Sequence, residues 1–323
     1  MLANFAYRAA AAVLSPAGPK ARLSILIYHR VLSAPDSIFP GEPTIERFDM
    51  QMAQLKSIFK VLPLADAVAR LRTGNLPARA ACITFDDGYA DNAECALPVL
   101  QKHGLHATFF VATAYLNGGR MFNDSVIEAF RRSPLSRLDL DSLDLGQHDI
   151  STPGAKAHAI GQLLPRVKYL PLDIREATVQ RIAELATSPA LPNDLMMSTA
   201  QLKRLHAAGM AIGGHTHRHP ILAGLDDDDA RAEISAGKTW LETTLGEPIT
   251  LFAYPNGKPG SDYLPEQARL VESLGFSAAV STQAGFSTAS TDPYQLRRFT
   301  PWGSSRSAYN LQLLKNLAGR QGQ

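Results

Sequence analysis

Cysteine is scarce: Cys82 and Cys95 are the only two in 323 residues, too few for a disulfide framework. One lies in an apolar strand-like run and the other in a helix-like run, where a free thiol packs as a small hydrophobe. Charge of one sign is also lacking, since 32 Lys and Arg face 30 Asp and Glu for a formal net charge of +2. No long-range field therefore points toward nucleic acid or anionic lipid, and a neutral or weakly charged substrate fits better. Long apolar runs are missing too. The run Ala9 to Leu14 has six residues, against the roughly 20 that span a bilayer and the about 7–15 of a signal-peptide core. We expect no export signal and no transmembrane segment, hence a cytoplasmic or membrane-peripheral location. Residues 1–14 are expected to pack on the domain as a helix, with weak contact to a membrane surface as the other reading.

What is present is a chain long enough, and at 45% apolar residues rich enough, to bury a full core. Apolar β-branched runs alternate with segments of helical period. Leu23 to Tyr28 reads as a buried strand, and Ile45, Phe48, Met52, Leu55 and Phe59 as one helix face capped by Thr44. A strand at Ala81–Phe85, a helix from Asp91 to His103 stopped by Gly104, and a strand at Ala107–Ala112 follow. After residue 197, Ser198 and Gln201 form a capping box and Gly209 ends the helix before a strand at Met210–Gly213. The acidic run Asp226–Asp229 opens another helix, ended by Gly246 and Pro248, where carboxylates favour the positive end of the dipole. A strand at Thr250–Ala253, a helix at Leu264–Leu274 and strands at Ser277–Ser281 and Leu296–Thr300 complete the series. Repeated strand-then-helix order implies an α/β architecture, a mainly parallel sheet closed or nearly closed as a barrel, with functional loops at the carboxyl ends of the strands. Residues 117–197 break the rhythm and read as an insertion with some helix, of the kind that covers a site. The division expected is an N-terminal helical extension over 1–22, a barrel over 23–316 and a tail over 317–323.

Two stretches carry chemistry. Thr84-Phe85-Asp86-Asp87-Gly88 follows one strand and His215-Thr216-His217-Arg218-His219-Pro220 follows another. Histidines four apart on a helical turn would share one face, a spacing that suits zinc. Gly213 and Gly214 are expected to let the chain turn sharply beforehand, and Pro220 to end the turn. Either motif alone is more often a turn or a solvated loop. Placed together at one rim, two histidines and a carboxylate complete a three-ligand zinc site with an open position, and a second carboxylate remains as a base.

These stretches, with Phe252-Ala253-Tyr254-Pro255-Asn256-Gly257, resemble the first three motifs of the NodB-homology polysaccharide deacetylases, carbohydrate esterase family 4. Ile27-Tyr28-His29-Arg30-Val31 further resembles a bacterial subgroup associated with exopolysaccharide production. The resemblance implies a distorted (β/α) barrel of about seven to eight strands. It also implies a metal-dependent hydrolase that removes N-acetyl groups from N-acetylhexosamine units of a poly- or oligosaccharide. Matched by position, Asp87, His215 and His219 would hold one divalent ion, Zn²⁺ by choice, Asp86 would be general base, and the Asn256 backbone N–H would donate to the oxyanion.

The pattern is incomplete, since Ala253 stands where the family has an arginine that orients the base, and no histidine follows residue 300. His29, ending the first strand, is the candidate general acid, and Arg298 the candidate orienter of Asp86, preferred over Arg297 because a strand turns only one of them inward. Tyr254 and Trp302 are rim aromatics available for stacking on sugar rings, and His217 is expected to point away from the ion. Competing readings are an O-acetyl esterase or non-carbohydrate amidohydrolase with the same site, and a sugar-binding protein that has lost catalysis.

Overall fold

Along the third strand, Ala80, Cys82 and Thr84 turn one way while Ala81, Ile83 and Phe85 turn the other, and this period of two organises the whole barrel. The strands are β1 (Ser24–Tyr28), β2 (Lys60–Val61), β3 (Ala80–Phe85), β4 (Thr108–Val111), β5 (Arg137–Asp139), β6 (Gln147–Asp149), β7 (Ala211–Gly214), β8 (Leu251–Ala253), β9 (Ala278–Ala284) and β10 (Leu296–Arg298). Parallel pairing runs β1-β3-β4-β7-β8-β9-β10, with β2 beside the start of β3. Ile27 donates to the Phe299 carbonyl and Phe299 to that of Ile25, at 3.1 and 3.0 Å, so the chain leaving β10 closes the ring on β1. The result is a distorted, nearly closed barrel, as the alternation of strands and helices implies.

Leu23, Ile25, Ala80, Cys82, Phe110, Leu251, Val280 and Leu296 fill its interior. The opposite strand faces, including Leu26, Tyr28, Ile83 and Phe85, pack against the surrounding helices. Both cysteines are buried and unpaired. The computed structural model of the chain describes residues 2–186 and 189–319, with side chains from residue 4 onward. Met1 of the N-terminal extension, residues 187–188 of the insertion and residues 320–323 of the tail lie outside the described residues.

Local signals stop and start the helices where the sequence suggests. Thr44 accepts from Arg47 N–H, Ser198 and Gln201 cap each other's backbone, and Asp226 accepts from Asp229 N–H. Gly104 and Gly246 end their helices in the left-handed conformation. The helix expected from Asp91 starts with a π-helical turn, Asn92–Ala96, before Leu97–His103. That widened turn lets Asn92 donate to the His29 carbonyl at 2.8 Å while Asp91 meets Arg30.

Residues 117–197, expected as an insertion, contribute to a separate apolar cluster. Helices Phe122–Arg132, Pro153–Lys168 and Leu172–Leu185 pack Val126, Phe130, Ile160, Leu163 and Ile182 together with Ile38, from the loop after β1. The stretch Leu138-Asp139-Leu140 alternates buried and exposed side chains, and β5 pairs antiparallel with β6.

Gly213 and Gly214 do not turn the chain. They lie within β7, and a Cβ on Gly213 would stand 2.5 Å from the Phe110 ring inside the barrel. Gly237, in the helix Asp227–Leu245, has a comparable duty, since a Cβ there would stand 2.5 Å from the Thr216 carbonyl oxygen. That helix therefore sets the height of the His215–His219 loop. Gly237→Ala should lower stability by about 1–3 kcal/mol through overpacking. Gly161→Ala, where a Cβ meets nothing within 4 Å, should raise it by about 0.8–1 kcal/mol through helix propensity. Thermal unfolding of the two variants beside wild type checks both signs.

Candidate active site

Asp86 and Asp87 leave β3 at its carboxyl end, where Asp86 N–H donates to the Tyr28 carbonyl and Ala112 N–H to that of Asp87. Asp87 takes a φ of 75°, in the left-handed region. The histidine loop follows β7 but is not a helical turn. Thr216 and His219 have φ of 63° and 53°, and Thr216 Oγ1 accepts from His219 N–H at 3.1 Å. Two left-handed residues, one of them β-branched, store conformational energy. They bring the imidazoles together by folding the loop back rather than by helical periodicity. Asn256, φ 57°, adds a fourth such residue at the same rim.

The outcome is convergence of three ligand atoms. His215 Nε2 and His219 Nε2 are 3.2 Å apart, and lie 3.4 and 3.5 Å from Asp87 Oδ1. Tetrahedral ligands placed at about 2.0–2.1 Å from zinc are themselves separated by about 3.3 Å, so the donor set and its spacing fit such an ion. His215 Nδ1 donates to the Ala253 carbonyl at 2.7 Å, which leaves its Nε2 lone pair for a ligand. Burial and the adjacent His215 hold the His219 imidazole down, to about 3, while against burial Asp87 and Asp86 hold the His215 imidazole up. Among the described residues these three are the cluster of His, Cys, Asp and Glu able to hold a metal.

Asp86 is bound differently. Arg298, fully buried on the inward side of β10, donates from Nη1 and Nη2 to Asp86 Oδ1 and Oδ2, each at 2.7 Å. The same guanidinium donates to Thr84 Oγ1 at 3.2 Å and to the Ser281 carbonyl at 2.9 Å. Burial alone would raise the Asp86 carboxyl, but Arg298, with His215 and His29, more than offsets it and the net direction is down. Arg297 is exposed on the other face.

The two aspartates and two histidines open into a cleft of about 640 Å³ walled by the barrel rim and the inserted segment. His29 and Trp302 line it, and Trp302 is 62% exposed. Asn256 also lines it, and its N–H has no partner among the described residues. Tyr254 does not reach it. The ring is buried in a stack on Tyr263, 3.7 Å between centroids, and its hydroxyl donates to the Tyr294 carbonyl. The chain after β8 turns this side chain into the barrel wall, so it offers no platform to a sugar. His217 points away from the triad, its Nδ1 2.9 Å from Thr113 Oγ1. Asp124, on the inserted helix Phe122–Arg132, enters the cleft without a signal in the sequence. Burial pushes its carboxyl up to about 7, opposed by Arg30 and assisted by the charge of Asp87. Tyr89 donates to its Oδ1 at 3.1 Å, while Oδ2 has no partner among the described residues.

The Polysaccharide deacetylase family matches residues 73–152 and 173–279, more than half of the chain, and the protein belongs to that family of hydrolases. The Bacillus subtilis (strain 168) protein YxkH is 23% identical over 280 residues, which cover 86% of this chain and 71% of YxkH. Among solved structures, the Streptococcus pyogenes deacetylase PplD in complex with acetate superposes with a TM-score of 0.60 at 18% identity, covering 91% of this chain and 98% of PplD. IcaB from Ammonifex degensii gives 0.57 at 19% identity, covering 92% and 98%. At these identities the structural likeness is one of fold.

Removing one partner of a buried ion pair costs about 3–5 kcal/mol, and Arg298→Gln should lose stability on that scale at neutral pH. The lowered Asp86 carboxyl stabilises the native fold above its ordinary titration range, and that contribution is lost as pH falls through its depressed pKa. Without the arginine, burial favours the protonated acid, so the gap between variant and wild type should begin to narrow above about 4, as the variant takes up its proton, and go on narrowing down through the depressed wild-type pKa. Unfolding measured across pH checks this; a gap independent of pH would show that Arg298 does not hold Asp86 ionised.

Proposed function

We propose that this deacetylase hydrolyses the N-acetyl groups of N-acetylhexosamine units in a poly- or oligosaccharide, releasing acetate and a free amine, with one divalent metal ion held by Asp87, His215 and His219. The observation that carries the reading is the division of the two adjacent aspartates, one bound to Arg298 and one facing two imidazole nitrogens. When bound, the ion would polarise the acetamide carbonyl and lower the pKa of water toward about 7.

The chain's own residues account for the remaining steps. Asp86, kept as a carboxylate by Arg298, accepts the proton of the attacking water. The N–H of Asn256, a residue of the cleft lining, donates to the oxygen that gains charge as the carbonyl carbon becomes tetrahedral. The carbon–nitrogen bond then breaks and the departing amine takes a proton, a step we assign to His29 at the cleft mouth. Trp302 offers its exposed ring to a sugar face. PplD is a deacetylase solved with acetate, the product that this scheme leaves in the cleft.

The test is acetate release from N-acetylated chito-oligosaccharide and from an O-acetylated glycan at equal concentration. We expect turnover of the amide substrate and a loss of about 10²–10⁴-fold in Asp86→Asn, the usual range for a positioned proton acceptor. Release from the ester alone would assign the site to an esterase. His29→Ala should lower kcat and change the alkaline side of its pH profile, and a profile identical to wild type would remove His29 from the reaction. Trp302→Ala should raise KM with little change in kcat.

A further inference from the structure

The chain's balanced net charge conceals an uneven distribution. Residues 1–35 contain no Asp or Glu, and they begin with a helix, Leu2–Leu14, that is apolar on both faces. Tyr7, Ala11 and Leu14 turn inward onto the apolar layer between the strands and the surrounding helices. Phe5, Ala9 and Val13, four residues apart on the opposite side, turn outward, and Phe5 and Val13 are 73% and 82% exposed. No other large apolar side chain among the described residues is so open. A surface helix of a soluble domain carries charge on its outer face, and this one carries only Arg8 at the edge of that face.

The position of the helix is definite. Asn4 donates to Ser57, in the last turn of the helix Ile45–Ile58 that leads into β2, and Ser15 accepts from Arg79 N–H just before β3. Both ends are thus tied to the amino ends of the strands, opposite the cleft. Cations gather at that same end. Lys20 precedes β1, Lys60 opens β2, Lys56, which donates to the His103 carbonyl, lies in the last turn of the helix Ile45–Ile58, and Arg70 and Arg72 lie in that of the helix Leu64–Arg72, whose first turn also carries one exposed carboxylate, Asp66. With Arg8 these cations are exposed, and among the described residues none is in an ion pair. The nearby Asp49 carboxylate is already engaged by Lys102 and His103.

We infer that the barrel end opposite the cleft is a docking face for an anionic lipid bilayer, with Phe5, Ala9 and Val13 entering the acyl boundary and the six cations meeting headgroup phosphates. An apolar helix face and a surrounding basic surface together supply the two attractions that interfacial binding requires. A second copy of the chain is the less fitting occupant, because a two-fold contact would set this cationic patch against itself. Docked this way, the cleft faces away from the bilayer, toward a glycan held above it.

The test is co-sedimentation of the full chain with vesicles of phosphatidylcholine alone and of phosphatidylcholine with phosphatidylglycerol. Wild type should pellet with the anionic vesicles, remain in the supernatant with the neutral ones, and be released by salt. The Phe5→Glu, Val13→Glu double variant should bind at least about tenfold more weakly while its unfolding temperature and acetate release stay unchanged. Arg70→Glu, Arg72→Glu should weaken binding and flatten its salt dependence. Wild type left in the supernatant with both vesicles would overturn the inference, as would equal pelleting of wild type and the Phe5, Val13 variant. Self-association that the same variant abolishes, without vesicle binding, would assign the face to a second copy and overturn it too.

Discussion

The buried pair between Arg298 and Asp86 is the contact on which the rest of the site depends. A carboxylate stripped of water at the top of a barrel would take up a proton, and a lone guanidinium there would be still more costly. Joined by two hydrogen bonds of 2.7 Å, each relieves the other, and the fork geometry of arginine fixes the plane of the carboxylate. The arginine arrives from the last strand and the aspartate from the third, so the pair also ties the two sides of the barrel at the height of the cleft. Its chemical consequence is asymmetry. Two adjacent aspartates would otherwise be interchangeable, but only Asp86 is neutralised by protein, and Asp87 is left beside His215 and His219.

Holding that arrangement requires close packing and unusual backbone. Four residues of the rim, Asp87, Thr216, His219 and Asn256, adopt positive φ, and left-handed conformations in such residues persist only where surrounding contacts over-determine them. Gly237 allows a helix to press on the loop backbone at Thr216, and Gly213 admits the Phe110 ring below it. The segment 117–197, whose apolar core also takes in Ile38, supplies the outer wall of the cleft and contributes Asp124. Stability spent on one side of the cleft is thus supported by packing behind it.

Much of the fold is legible along the chain because its signals are local. The caps at Thr44, Ser198 and Asp226, the stops at Gly104 and Gly246, and the period-two strands all act within a few residues. The inward turn of Arg298 follows from strand alternation after Leu296. What escapes depends on contacts distant in sequence. The histidine loop is folded back by Thr216 and by a helix twenty residues on, so the two histidines singled out by their four-residue spacing do converge, but through a loop and not through a helical turn. Tyr254 is buried by Tyr263 and Tyr294, partners that no periodicity reveals. Asp124 acquires its elevated pKa from burial against a different segment, and the same residue read in sequence is an ordinary helix-start carboxylate. The alternation in Leu138-Asp139-Leu140 was a strand signal within a stretch whose prolines and turns obscure it.

Metal occupancy tests the central claim most directly, because a site built from Asp87, His215 and His219 has a defined stoichiometry. Elemental analysis of purified wild type, reconstituted with zinc and desalted, should find one divalent ion per chain, and none in a His215→Ala, His219→Ala variant that remains folded. Equal metal in both proteins, or none in wild type after reconstitution, would contradict the account.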